Sequence, residues 1–134
     1  MADTHAIENA KSWYSSIKEM VEALEANDDG ETDEARERIV ESALSVQVRS
    51  GWYSPGALDA DTKPAEYEIL LTTGGPALRI IGELSSYGEP EDATLEWQDW
   101  GTPWTRVHMS DLPDNASEVD RLLLAFAGCF YFGE

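Results

Sequence analysis

The apolar residues of this chain change their repeat twice, and that change limits the fold more than any other feature. Between residues 4 and 26, Ile7, Ala10, Trp13, Tyr14, Ile17, Met20, Val21 and Leu24 recur at steps of three and four, which gathers them on one face of a helix. Glu8, Lys11, Glu19, Glu22 and Glu25 fall mainly elsewhere. Asp3 or Thr4 can cap this helix, and Asn27-Asp28-Asp29-Gly30 stops it. A second, shorter helix is expected from about Thr32. Its buried stripe is Ala35, Ile39, Val40 and Ala43, and Asp33 and Glu34 suit the dipole of its first turn.

From Leu44 the period drops to two. Leu44–Arg49 alternates as a strand, and residues 50–64 follow as a long, turn-rich connection of a kind that is often functional. Glu66–Thr73 and Ala77–Leu84 read as a hairpin joined by Gly74-Gly75-Pro76. A polar loop, Ser85–Asp92, precedes a fourth strand at Ala93–Trp100 and a fifth at Trp104–Met109. Residues 114–128 return to helical spacing, with Asp114 or Ser117 as cap and Val119, Leu122, Leu123, Phe126 and Ala127 inward. Phe130-Tyr131-Phe132 is too apolar for a free tail and is expected to pack back onto the sheet. The order predicts one α+β domain over residues 1–134. It has an antiparallel sheet of four to five strands, with two N-terminal helices and one C-terminal helix packed on one face.

Charge bears on function rather than on fold. Twenty-seven Asp and Glu oppose nine Lys and Arg, a net charge of −18. Residues 1–50 hold 12 acids and 5 bases (−7), and residues 51–134 hold 15 acids and 4 bases (−11), so no tail accounts for it. Such a surface repels nucleic acid and anionic membranes and steers basic partners toward itself. Solubility needs a net charge of only about 2–8 in a small domain, although salt-adapted proteins are also acidic and lysine-poor. No apolar run approaches the roughly 20 residues that cross a bilayer. The first residues lack the basic and apolar regions of a secretory signal, and Cys129 has no second cysteine to pair with. A cytoplasmic protein is expected.

Catalytic constellations are missing from the sequence. There is no paired-histidine zinc motif, nucleophile elbow or phosphate-cradling loop. Cys129 with His108 is the best nucleophile–base pair available, and each reads more simply as a packed small residue and a strand-end residue. The acids at 28–34 lack the order of a calcium loop. The expectation is a protein that is not an enzyme and uses no cofactor and no metal.

The candidate site is therefore a binding surface. On strand 66–73, Glu66 and Glu68 share a face with Leu70, opposite Tyr67, Ile69 and Leu71; on strand 93–100, Glu96 lies between Thr94 and Gln98. Same-face neighbours stand about 6.6 Å apart, close to the spacing of successive phosphates. With Asp28, Asp29 and Glu31 in one acidic turn and Glu89, Glu91 and Asp92 in a loop, these carboxylates could imitate a phosphate backbone. Trp100 and Trp104, in the segment Trp97-Gln98-Asp99-Trp100-Gly101-Thr102-Pro103-Trp104, are candidate anchors, or they fill the core.

The stretches Arg49-Ser50-Gly51-Trp52, Glu66-Tyr67-Glu68-Ile69-Leu70-Leu71-Thr72-Thr73-Gly74-Gly75-Pro76-Ala77 and Trp97-Gln98-Asp99-Trp100-Gly101-Thr102-Pro103-Trp104-Thr105 resemble a family of small uncharacterised bacterial proteins of prophages and conjugative elements. The resemblance spans roughly residues 44–134 and brings no catalytic residue with it. Size, acidity and that context are similar to the anti-CRISPR and anti-restriction proteins, many of them acidic decoys. What this implies is an inhibitor that mimics nucleic acid and occupies the basic groove of a bacterial defence protein, binding neither nucleic acid nor membrane itself. The alternative is an immunity- or antitoxin-like binder of a basic toxin, anchored by its tryptophans; a small enzyme using Cys129 or a carboxylate pair stands third.

Overall fold

The computed structural model describes residues 3–26, 29–56, 63–73, 76–99 and 101–132, with backbone alone for 3–4 and 29–32. Helix α1 (Asp3–Ala26) and helix α2 (Asp29–Ser42) precede strands β1 (Ser45–Ser50), β2 (Pro64–Thr72), β3 (Ala77–Glu83), β4 (Thr94–Gln98) and β5 (Thr105–Arg106). A single 3-10 turn at Met109–Asp111 leads to helix α3 (Ala116–Ala127). The strands form one antiparallel meander in sequence order, β1 to β5. This is the α+β architecture that the period switch predicts.

The two-residue period of the strands separates their faces. Tyr67, Ile69 and Leu71 of β2, Leu78 and Ile80 of β3, and Leu95 and Trp97 of β4 are buried with helix residues in one apolar cluster. From α1 that cluster takes Ala6, Ala10, Tyr14, Ile17, Met20 and Val21; from α3 it takes the expected Val119, Leu122, Leu123, Phe126 and Ala127. Each large aliphatic side chain so buried contributes about 1.5–3 kcal/mol before ordering costs. The helix contacts with the sheet gather on β3 and β4, where α1 and α3 pack. Phe130 and Phe132 close the core from the C-terminal side, and the Phe132 ring lies 4.7 Å from that of Tyr67.

Some boundaries and caps differ from the sequence reading. Helix α2 begins at Asp29, three residues before the expected Thr32, so Asp29 and Glu31 belong to a helix N-terminus and not to a turn. Acids are favourable there, and one glycine near the end costs only about 1 kcal/mol. Val40, expected inward, is 44% exposed, because α2 packs mainly on α1 through Ala35 and Ile39. The cap of α3 is Asn115, whose side chain accepts from the Glu118 amide at 2.9 Å. Asp114 is drawn instead to α1, where it accepts from Tyr14 Oη at 2.7 Å and from Lys18 Nζ at 3.0 Å. Strand β5 is only two residues long, since His108 already flanks the 3-10 turn.

One close approach fixes a glycine. Gly82 stands opposite Tyr67, whose hydroxyl donates to the Asp92 carbonyl at 2.5 Å. A Cβ on Gly82 would lie 2.1 Å from that carbonyl oxygen and 2.7 Å from Tyr67 Cε1. The Asp92 carboxylate also accepts from the Glu83 amide at 2.8 Å. Gly82 therefore sets where the loop acids sit.

Candidate functional site

The face of the sheet turned away from the core carries Glu66, Glu68 and Glu96, as the strand period requires. Register then decides their surroundings. Arg79 of β3 is aligned with Glu96 on one side and Leu70 on the other. Its Nη2 lies 2.7 Å from Glu96 Oε1, and its Nη1 reaches back 2.6 Å to Glu68 Oε2. Trp104 stacks on the same guanidinium, 4.1 Å from ring centre to Cζ, a cation–π contact. The side chains of this cluster are only 16–25% exposed. Glu66 is held by Arg49, its register partner on β1, through Oε1 at 2.9 Å and Oε2 at 3.1 Å. Those bonds keep the Glu66 carboxyl below the usual carboxylate range and push Arg49 up. The three sheet glutamates are thus neutralised within the molecule, and their spacing does not present a bare phosphate-like row.

Unpaired carboxylates collect elsewhere. Asp33, Glu34, Glu37 and Glu41 are exposed on α2, and no ion pair among the described residues reaches them. Glu34, Glu37 and Glu41 follow steps of three and four, so they share one face with about 5–6 Å between successive Cβ atoms. With Arg38 of the same helix and Trp13 and Met20 of α1 they border a groove of about 450 Å³ between the two helices. Of the acidic patch that sequence reading placed at 28–34, only the Asp33 and Glu34 side chains are described, and the exposed row continues along the helix to Glu37 and Glu41.

The loop acids form a second unpaired group. Glu89 and Glu91 are exposed, while Asp92 is occupied in the turn by the Glu83 amide. Glu83, also exposed, stands opposite Glu66 and accepts from the Glu91 amide through its carbonyl. Asp28 and Trp100 lie outside the described residues, as do the side chains of Asp29 and Glu31. Trp104 is a half-buried lid over Arg79 and not a free anchor. Trp52 is fully exposed beside the half-exposed Tyr53, and Tyr87 and Tyr131 are largely exposed as well.

The remaining polar clusters join helices. Asp114 is kept below the usual range by hydrogen bonds from Tyr14 and Lys18, and burial pushes the Tyr14 hydroxyl up. Arg121 spans Glu118 on its own helix and Glu25 on α1, at 2.8 and 2.7 Å, which holds the Glu118 carboxyl low. The Cys129 thiol lies 3.6 Å from the Ala125 carbonyl, and desolvation raises its pKa; this lowers its thiolate fraction and its nucleophilicity. His108 is exposed at the start of the 3-10 turn. Among the described residues no group of three His, Cys, Asp or Glu is placed to hold a metal ion, and no helix is long and apolar enough to cross a membrane.

The chain matches no family model, no curated protein and no solved structure.

Proposed function

We propose that this chain acts by binding rather than by catalysis, as an acidic inhibitor that occupies the basic nucleic-acid-binding surface of another protein. The observation that carries this reading is the exposed stripe Glu34–Glu37–Glu41 on α2, three carboxylates in no ion pair among the described residues and sharing their groove with the single cation Arg38, in a molecule of net charge −18. Carboxylates outside an internal ion pair keep their attraction for an external cation, and a field of one predominant sign speeds and orients the encounter. The neighbouring Trp13 and Met20 give the stripe an apolar floor on which a partner side chain can be desolvated. On the resemblance read from the sequence, a nucleic-acid-binding protein of bacterial defence is the partner to test first.

Affinity purification from a bacterial lysate at low salt, with salt-gradient elution, tests this. The expected result is one nucleic-acid-binding protein, released by salt, displaced by DNA or RNA, and poorly retained by a Glu34→Gln, Glu37→Gln, Glu41→Gln variant. Retention that is indifferent to both salt and nucleic acid would overturn it. A second reading, an immunity- or antitoxin-like binder held by an aromatic anchor, is favoured by the full exposure of Trp52. It predicts that Trp52→Ala abolishes capture while the α2 variant only slows it.

A further inference from the structure

Six of the eight large apolar side chains exposed among the described residues fall between residues 40 and 53: Val40, Leu44, Val46, Val48, Trp52 and Tyr53. Strand β1 lies inside that segment and forms one edge of the sheet. An edge strand presents backbone N–H and C=O groups to any strand laid beside it, and folded proteins commonly blunt such an edge with charge, proline or shortness. The opposite edge is short, since β5 has two residues. Strand β1 has six, with no proline and no acid. Its Val46 and Val48 share the inner face with their buried register partners Ile69 and Tyr67, yet are 37% and 42% exposed.

Charge decides what can approach. Residues 42–58 are the longest stretch of this chain without Asp or Glu, and they carry one cation, Arg49. The acids of the neighbouring strand are already neutralised, Glu66 by Arg49 and Glu68 by Arg79, and Glu37 and Glu41 border the groove between α1 and α2. A basic strand would therefore meet Arg49 and no unpaired carboxylate on β1 or β2. A strand that fits is apolar on one face and nearly uncharged on the other, and the chain holds such a strand in β1 itself. Two copies of β1 laid antiparallel about a two-fold axis at Gln47 pair Val46 of each with Val48 of the other on the inner face. On the outer face Gln47 meets Gln47 and each Arg49 meets Ser45, which leaves the two Arg49 residues about 13 Å apart along the strands. This pairing brings no like charges into contact, whereas two copies meeting through α2 would oppose Glu34, Glu37 and Glu41 of each.

We propose that β1 is a self-association edge, through which two copies of this chain pair antiparallel and join their five-stranded sheets into one. The inference stands apart from the acidic-binder reading, because the α2 stripe and the β1 edge are different surfaces. Their salt dependences are opposite in sign. Capture of a basic partner weakens as salt screens attraction, whereas the dimer tightens as salt screens repulsion between two chains of −18.

Sedimentation equilibrium of the full chain, from micromolar to millimolar concentration at low and high salt, tests this. A dimer should form, with a Kd that falls about threefold or more at high salt. Gln47 is exposed, so Gln47→Glu and Gln47→Lys should both fold. Each should weaken the dimer about fivefold, as like charges meet across the axis, and an equimolar mixture of the two should restore it. In a mixture of isotope-labelled and unlabelled chains, NOEs are expected between the Val46 methyls of one copy and the Val48 methyls of the other. A chain that stays monomeric at millimolar concentration and high salt overturns the proposal and leaves the edge to a strand of another protein. A dimer that is indifferent to both Gln47 variants, or that lacks those NOEs, forms through another surface and overturns it equally. Both failures leave the acidic-binder reading standing, since that reading is tested by salt-released capture through α2.

Discussion

The outward face of the sheet and the outward face of α2 are both rows of glutamates in sequence, and the fold treats them in opposite ways. On the sheet, Arg79 sits between Glu68 and Glu96 under the Trp104 ring, and Arg49 takes Glu66. On α2, Glu34, Glu37 and Glu41 stand exposed, in no ion pair among the described residues. The lesson is that a count of acids does not locate a field. Carboxylates in a register with arginine serve the fold, and carboxylates left over are what a partner meets.

This contrast can be broken outright by moving the loop that frames the sheet acids. Gly82→Ala forces a methyl into the Asp92 carbonyl and should cost about 3 kcal/mol in urea unfolding, as overpacking at a backbone contact does. A smaller loss is expected from Arg79→Ala, about 2 kcal/mol, because it leaves two partly buried carboxylates without their cation. Arg79→Lys should recover only part of it, lacking the planar fork and the stacking surface. If Arg79→Ala costs no more than a few tenths of a kcal/mol, the sheet acids are as free as those of α2, and the contrast fails.

Acid titration sharpens the same comparison. Asp114, Glu66 and Glu118 are held below their usual range by partners in the fold, so each contributes stability that is fully present above its unfolded pKa. That contribution is lost as pH falls from about 4 through the lower folded values. The denaturation midpoint should therefore hold near neutrality and drop in this acid window, and Asp114→Asn should make the drop shallower. The smallest effect belongs to α2. Glu34→Gln, Glu37→Gln and Glu41→Gln should each change stability by less than about 0.5 kcal/mol, upward where like charges at three- and four-residue spacing are relieved. The same changes should weaken capture of a basic partner, which sheet variants that keep the fold should not.

The core was legible because periodicity reports on faces. The stripes of α1 and α3 and the inward set Tyr67, Ile69, Leu71, Leu95 and Trp97 follow from repeats of 3.6 and 2 alone. Val40 misled because a helical stripe shows which residues share a face, and not how much of that face a neighbour covers. Asp114 misled because a capping residue was within reach of Tyr14 and Lys18, about a hundred positions away in the chain. Of the candidate site, the outward placement of Glu66, Glu68 and Glu96 was readable; their neutralisation was not.

By itself, then, the sequence determined the element types, the inner and outer faces, the large negative charge and the absence of familiar catalytic motifs, because all of these are local or additive properties. Tertiary structure decided which acids meet cations and which edge stays open. Arg79 lies 11 positions from Glu68 and 17 from Glu96, and only the antiparallel register brings the three side chains into contact. Likewise β1 alternates as well as any strand here, yet α1 and α3 settle over β3 and β4, so its valines are left uncovered. Pairing and coverage are relations between distant segments, and no local pattern encodes them.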